Sequence, residues 1–347
     1  MVTRLPPPLF RRLELAFHTQ YAEVRERTRG EGELLPGTPG TLTLRTGTGY
    51  GYWYRRYSNL PNQEAEDLVC KEGYEETRDA MQARIEFSTW VQEQVRHLRK
   101  LGMQVADKDV SRVLVELHNK QLFDGGLVVV GTLAFMAWLN ELGAVAVSAR
   151  TQDIDLARRQ ALKLGAPVSF LDALEATHLK FFPVPGMPNS APSTSVKRPG
   201  ADGLRVDLLT SGEHLGAVVP VPELSWHAQT VPHFDYLLKN PSQAAVLAGG
   251  HCIPVNLPLP ERFVLHKLYS STRRRADPAK ARKDLVQAAV LAAVIVETDG
   301  GSLRQAAKDA PAEILETART RLPALKELLQ AHRQTLEEFE RALSPAS

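Results

Sequence analysis

Two acidic residues near the middle of the chain, Asp153 and Asp155, are separated by a single residue. They lie in Thr151–Ala157, which alternates as a strand does, and residues i and i+2 of a strand project from the same face. Neighbouring carboxylates repel each other unless a cation lies between them, and hard divalent ions such as Mg²⁺ or Mn²⁺ prefer oxygen ligands. The spacing therefore predicts a metal site on this strand.

A third acid, Asp207, lies inside a predicted strand, Leu204–Leu209, between two apolar neighbours. A carboxylate on an adjacent strand would complete a site for two metal ions about 3.5–4 Å apart. Asp202 and Asp235 compete for this position, although a Gly-flanked turn and a helix start would explain them without a metal. We therefore take Asp207 as the third member of the predicted site.

A strand-to-helix turn upstream gives the acids a context. The apolar run Leu127–Val130 predicts a buried strand, Gly131-Thr132 ends it, and Leu133–Leu142 predicts a helix closed by Gly143. Backbone N–H groups at a helix start, together with the hydroxyl of Thr132, suit a phosphate. Without this turn, each acid would have a structural explanation. Asp153 would cap a turn, Asp155 would form a surface ion pair with Arg158, and Asp207 would protect a sheet edge from pairing.

These motifs resemble those of the nucleotidyltransferases of the DNA polymerase β superfamily, over about residues 125–290. The similarity rests on Val130-Gly131-Thr132-Leu133-Ala134 followed by Arg150-Thr151-Gln152-Asp153-Ile154-Asp155-Leu156. The subgroup most similar is that of the bacterial AbiEii-like and minimal nucleotidyltransferases, whose later Lys-Leu and Lys-Asp pairs match Lys267-Leu268 and Lys283-Asp284. Two departures are Val130, where many relatives have a second Gly, and the long gap between Asp155 and Asp207.

The resemblance implies transfer of a nucleoside monophosphate from an NTP to an acceptor, with release of pyrophosphate. Asp153 and Asp155 would hold Mg²⁺ or Mn²⁺ on the triphosphate, and Asp207 would join them at a second ion and lower the pKa of the acceptor hydroxyl. The acceptor is left open between tRNA or another RNA, a protein and a small molecule. A toxin-like role is a further implication of the AbiEii-like resemblance.

The resemblance also suggests nucleotide-binding residues outside the acids. Gly131 and Thr132 would hold the β- and γ-phosphates, and Lys267 and Lys283 are candidate phosphate contacts. Each lysine is equally well explained as part of a solvated helix face. Arg150 is expected either to contact phosphate or to brace the strand.

Composition limits the partners. The 347 residues carry a net charge of only +2, so a basic surface for nucleic acid must be local. The run Arg273-Arg274-Arg275 is such a surface, or else a solvated loop. The aromatic and basic segment 50–56 either stacks nucleobases or packs between domains.

Two cysteines, Cys70 and Cys252, match no zinc or redox spacing, and we expect the pair His251-Cys252 to be structural. The N-terminus shows no apolar signal core, and the longest apolar stretches are shorter than the ~20 residues that span a bilayer. We therefore expect a cytoplasmic protein without membrane contact.

The predicted fold class is α+β, a nucleotidyltransferase-like mixed sheet with flanking helices. Three parts are predicted: 1–122, a mainly helical module with a β-hairpin; 123–260, the catalytic domain; and 261–347, a helical region. The helices expected outside the middle part are Phe10–Arg29, Glu72–Leu101, Asp107–Leu122, Glu261–Tyr269, Ala279–Glu297 and, after Pro323, Ala324–Leu343. The strands expected besides those above are Thr41–Arg45, Tyr50–Tyr57, His178–Val184 and a hairpin in Ala245–Val255.

Two other functions fit the same residues. A catalytically silent regulator on this fold would bind nucleotide or RNA without turnover. A metal-dependent nuclease would also use three acids, although it would not need a triphosphate-binding turn at Gly131-Thr132.

Overall fold

A mixed β-sheet with helices packed around it forms the centre of the computed structural model, which describes residues 6–47, 49–60, 63–147, 150–274, 276–298 and 300–344. In chain order the strands are β1 (Phe10–Arg12), β2 (Thr41–Thr46), β3 (Gly51–Leu60), β4 (Gln63–Lys71), β5 (Val128–Val130), β6 (Ala144–Ala146), β7 (Asp153–Arg158), β8 (Phe182–Pro183), β9 (Ser195–Lys197), β10 (Arg205–Ser211), β11 (Val218–Val221), β12 (Trp226–Val231), β13 (Ser242–Ala248) and β14 (His251–Leu257). The helices are α1 (Leu15–Gly30), α2 (Glu75–Lys100), α3 (Lys108–Asn119), α4 (Gly131–Glu141), α5 (Phe170–Glu175), α6 (Phe234–Leu237), α7 (Pro260–Arg273), α8 (Pro278–Glu297), α9 (Leu303–Lys308), α10 (Ala312–Leu328) and α11 (Arg333–Leu343). The predicted α+β class is confirmed.

The central sheet has the strand order β11-β12-β10-β7-β5. Strands β7, β10 and β12 are parallel, whereas β5 runs antiparallel to β7 and β11 antiparallel to β12. Strand β9 pairs with the first half of β10 and β12 with its second half, and β8 pairs with β9. The middle strands β7 and β10 therefore have partners on both sides, which fixes their register.

Helix α4 follows β5 directly and is buried on nearly every side, from Thr132 to Asn140. Its sequence is apolar around the whole helix, as expected of a helix inside a core. It packs against β5, β7 and the β13–β14 hairpin on different sides. The turn that enters α4 is therefore held in place from all directions.

The N-terminal segment contains more β-structure than the sequence indicated. The expected hairpin is present as β2 and β3, and β4 adds a third strand. The acidic residues of β4 obscured its alternation. The expected helix Phe10–Arg29 is partly wrong, because Phe10–Arg12 pairs with β6 and the helix begins at Leu15. Helix α2 is confirmed, and α3 starts after Asp107, whose side chain makes no capping hydrogen bond.

The C-terminal helices differ from the prediction at Pro323. The predicted single helix Ala324–Leu343 is wrong. Pro323 lies inside α10, which ends at Leu328, and a separate helix, α11, begins at Arg333. A proline inside a helix removes one backbone hydrogen bond and crowds the carbonyl of residue i−4. The packing of α10 against α7, α8 and α11 outweighs that cost. Of the predicted strand His178–Val184, only Phe182–Pro183 is a strand. His178 instead has a positive φ and belongs to the turn that follows α5. The α7, α8 and β13–β14 predictions are confirmed.

None of the helices in the described ranges is both long enough and apolar enough to cross a membrane. The division of the chain at residues 122 and 260 stays a prediction.

Glu141, at the end of α4, connects the N-terminal helix to the central core. Its side chain is 6% exposed and pairs with Arg25 of α1, accepts a hydrogen bond from the Tyr21 hydroxyl at 2.8 Å, and accepts one from the Ala245 backbone N–H at 2.9 Å. Three groups from two distant segments therefore depend on one buried carboxylate.

Replacing Glu141 by Ala should lower the free energy of unfolding by about 1–3 kcal/mol, because buried donors lose their acceptor. The matched control is Glu26→Ala, which removes a 54% exposed partner of the same Arg25 and should cost no more than about 1 kcal/mol. Denaturant unfolding of both variants measures the difference, and equal losses would show that Glu141 does not hold these segments together.

Candidate functional site

The three predicted acids come together on one face of the central sheet. In the parallel pairing of β7 with β10, Asp155 lies opposite Asp207, and Asp153 lies opposite Arg205. Because Asp153 and Asp155 are two residues apart on β7, they project from the same face. All three carboxylates are partly buried.

The turn at Gly131 lies directly against Asp155. Val130 pairs with Asp155 across β5 and β7, and Gly131 begins α4 with a φ of +67°. A Cβ atom at position 131 would lie 1.9 Å from Asp155 Oδ2. Only glycine fits here, because both the backbone conformation and the available space exclude a side chain.

Burial and repulsion between the acids change their protonation. Burial raises the pKa of Asp155 to about 6, with Asp207 as the next cause and Lys267 opposing it. Burial also raises the pKa of Asp207, whereas Arg205 and Ser195 act in the other direction. Burial, more than repulsion between the acids, therefore disfavours the charged form of both carboxyl groups.

Arg205 supplies part of the missing positive charge. Its Nε donates to Asp207 Oδ1 at 2.8 Å, and its Nη2 donates to Ser195 Oγ at 2.9 Å. Carboxylate oxygens suit a hard divalent cation, and Asp207 Oδ2 takes no part in the Arg205 bond. As the side chains are placed in the described ranges, no three or more His, Cys, Asp or Glu residues form a group that could hold a metal ion.

An ion triad centred on the buried carboxylate of Asp284 lies beside the acids. Asp284 accepts hydrogen bonds from Lys267 Nζ and from Arg274 Nε, both at 2.6 Å, and Lys267 is 9% exposed. The positive charge of Lys267 acts on Asp155. Lys283 is exposed, but partial desolvation and Lys267 lower its pKa, against the attraction of Asp153. Both predicted lysines therefore lie within electrostatic reach of the acids.

A cleft of about 1320 Å³ opens over this face. Gly131, Asp155, Asp207 and Lys267 are the predicted site residues that line it. Thr132 lies behind Gly131 in the first turn of α4 and is 7% exposed. Arg150 is exposed at the approach to β7 and is not among the residues that line the cleft.

The remaining candidates are either exposed or bonded to other side chains. Asp202 is exposed in its turn, and Asp235 accepts a hydrogen bond from Ser211 Oγ at 2.6 Å. In the arginine run, Arg273 pairs with Glu313 and Arg274 with Asp284, while Arg275 lies outside the described residues. Neither described arginine of the run is therefore an unpaired charge.

The segment 50–56 is held in the N-terminal region by Arg55, whereas its Tyr50 and Tyr52 side chains are exposed. Arg55 is 1% exposed and donates to the carbonyl oxygens of Pro36, Thr38 and Pro39. The predicted structural role of His251-Cys252 fits the contacts of the His251 ring, which hydrogen-bonds Ser111 Oγ and the Leu35 carbonyl oxygen, and the burial of Cys252.

A family profile described as nucleotidyltransferase matches residues 108–312, which is more than half of the 347 residues. The chain belongs to this nucleotidyltransferase family. The match begins at α3 and ends at the start of α10, so it contains the three acids, the Gly131 turn and both lysines. No curated protein and no solved structure matches the chain.

Sequence reasoning missed two charged residues of the site. Arg205 precedes Asp207 by two residues, and the same i, i+2 rule that united Asp153 and Asp155 would have placed it on their face. Arg274 was interpreted only as a member of a basic run. Its bond to Asp284 depends on how α7 and α8 pack, which the sequence does not encode locally.

The contact between Gly131 and Asp155 gives a stability prediction. Gly131→Ala should destabilise the protein by about 1–3 kcal/mol beyond the cost of a left-handed alanine, because Asp155 must move. Gly32→Ala is the matched control, since Gly32 has a φ of +74° and nothing within 4 Å of an added Cβ. Denaturant unfolding compares the two, and equal losses would contradict the close contact.

Asp155 should make stability depend on pH. Between its ordinary pKa of 3.8 and about 6, the folded protein holds a proton that the unfolded chain has released. Stability therefore falls as the pH rises through this window. Without divalent ions, Asp155→Asn should be more stable than wild type by about 2–3 kcal/mol at pH 7, and the gap should close near pH 4.

Chemical unfolding at several pH values in the presence of a chelator measures this gap. The control is Asp202→Asn, which removes an exposed carboxylate and should follow wild type at every pH. A gap between wild type and Asp155→Asn that is the same at pH 4 and pH 7 would refute the proposed origin.

Proposed function

We propose that this protein transfers a nucleoside monophosphate from an NTP to a hydroxyl acceptor. The observation that carries the proposal is the register that puts Asp155 opposite Asp207 and the Gly131 turn directly against Asp155. An anion-binding turn beside carboxylates is what a reaction at a metal-bound triphosphate requires. Membership of the nucleotidyltransferase family supports the same reaction class.

The chain's own groups would bind and orient the nucleotide. Backbone N–H groups after Gly131, with the positive end of the α4 dipole, would face the β- and γ-phosphates, and Thr132 would add a hydroxyl. Lys267 and Lys283 would supply positive charge near the triphosphate, and Asp284 would hold the Lys267 ammonium in place. Arg150 is proposed as a phosphate contact at the edge of the site.

Asp153, Asp155 and Asp207 would hold Mg²⁺ or Mn²⁺. The ion, when bound, would neutralise charge on the reacting phosphate oxygens. Burial raises the pKa of both Asp155 and Asp207, and a bound cation would stabilise their charged forms. Asp207 would also accept the proton of the acceptor hydroxyl, and its Oδ2 is outside the Arg205 bond.

The finer identity remains part of the proposal. The motifs at Gly131-Thr132 and Arg150–Leu156 favour an AbiEii-like enzyme, in which a toxin-like role is one possibility. The acceptor stays open between tRNA or another RNA, a protein and a small molecule. The three-part division at residues 122 and 260 and the cytoplasmic location are likewise proposed from sequence.

A transfer assay tests the proposal. The wild-type protein is incubated with each of four α-³²P-labelled NTPs, Mg²⁺ or Mn²⁺, and separate RNA, protein and small-molecule pools. Label should move to one pool, and Asp155→Asn should reduce transfer at least about a hundredfold, because a cation ligand is lost. Asp202→Asn, the exposed acid outside the site, should transfer label as wild type does.

Other outcomes separate the alternatives. Transfer that is equal in wild type and Asp155→Asn would exclude this site. Calorimetric binding of NTP without transfer to any pool would favour the silent regulator. Degradation of RNA or DNA that is lost in Asp155→Asn would favour a nuclease.

A further inference from the structure

One wall of the cleft carries aromatic rings next to the Lys267 end of the site. Tyr269 of α7 lies with its ring centroid 4.9 Å from that of His233 and 5.8 Å from that of His266. Phe234 lies 5.2 Å from His266. All four residues line the cleft, and Lys267 is the next residue after His266. The aromatic wall therefore begins beside Lys267, and the Arg273 guanidinium lies over its Tyr269 ring, 4.9 Å from the ring centroid.

His233 is held in an unusual way within this wall. Its φ of +63° lies in the left-handed region, which is uncommon for a residue other than glycine and indicates a conformation imposed by its surroundings. Its Nε2–H donates to Glu313 Oε2 at 2.8 Å, and Glu313 also pairs with Arg273. Contacts from α7 and α10 therefore fix the direction of the His233 ring.

One face of the His233 ring is available for contact with a ligand. The planes of His233 and Tyr269 are nearly perpendicular, at 80°, so at least one face of the imidazole lies outside their contact. The side chain is 20% exposed, whereas Tyr269 and Phe234 are 5% and 4% exposed. Among the aromatic rings of this wall, His233 is thus the one most open to the cleft.

A second part of the cleft lining, the polar wall, has a different character and adjoins the aromatic wall where Ser211 Oγ donates to Asp235 Oδ2. It is formed by β10, β12 and the loop after β10, with Ser211, Glu213 and Gln229 among its lining residues. The aromatic ring of this part of the lining is that of His214, which is exposed in the loop after β10 and has no ring partner among the described residues to hold it in one orientation. Any nucleobase can stack its flat face on an aromatic ring. A polar wall instead suits a ligand that is rich in hydrogen-bonding groups.

We propose that His233 is the stacking platform for the nucleobase of the NTP, with the triphosphate at the Lys267 end of the cleft. This inference rests on the proposed function. Tyr269, whose ring centroid is 4.9 Å from that of His233, follows Lys267 by two residues of α7, a rise of about 3 Å. A nucleoside attached to a triphosphate at Lys267 extends along this wall to His233. The polar wall beyond Asp207 is then left for the acceptor.

Binding of two probes tests the platform: ATP and inorganic tripolyphosphate, each with Mg²⁺, by isothermal titration calorimetry. His233→Asn removes the ring while keeping a residue that tolerates a positive φ. It should weaken ATP binding about tenfold, the scale of one lost base–aromatic stack, and leave tripolyphosphate binding unchanged. The matched control is His178→Asn, since His178 is exposed, has a φ of +59° and does not line the cleft.

The outcomes distinguish the platform from the proposed function. His233→Asn that binds ATP as wild type does, or that weakens both probes equally, overturns the platform alone. A wild-type protein that binds tripolyphosphate as tightly as ATP also overturns the platform alone. A wild-type protein that binds neither probe overturns the proposed function and the platform with it.

Discussion

The close approach of the Gly131 backbone to the Asp155 carboxylate is the constraint on which the rest of the site depends. Val130 is paired with Asp155 across the sheet, and the chain turns into α4 at the next residue. Any side chain at position 131 would occupy the space of Asp155 Oδ2. The helix start and the carboxylate can therefore be neighbours only because this residue has no Cβ.

That proximity matters because the two groups have opposite electrostatic preferences. A helix start attracts anions, and a pair of carboxylates attracts cations. Together they favour a ligand with both charges, such as a phosphate that brings a cation. Lys267 and Arg274 balance part of the acidic charge, but both are bound to Asp284 and are thereby held in fixed positions. Burial, followed by repulsion from Asp207, nevertheless keeps the pKa of Asp155 raised.

Most of the site's backbone could be predicted from the sequence because local patterns encode it. The apolar run before Gly131, the alternation around Asp153 and Asp155, and the lone acid in Leu204–Leu209 each specify an element and a face. The structure aligns Asp207 with Asp155, whereas Asp202 lies in an exposed turn and Asp235 lines the cleft from α6. By contrast, β11 and β12 were not foreseen, although both extend the sheet beyond Asp207 and β12 contributes Gln229 and Val231 to the cleft.

The walls of the cleft could not be predicted, for a physical reason. His233 precedes the short helix α6, Arg273 ends α7, and Glu313 begins α10. Their contacts depend on the packing of α10 against α7, and Pro323 led us to place the last helices differently. Reaction class is specified by residues on neighbouring strands, whose register follows from alternation. Ligand choice is specified by residues that only tertiary packing brings together, so the aromatic and polar walls became distinguishable only in three dimensions.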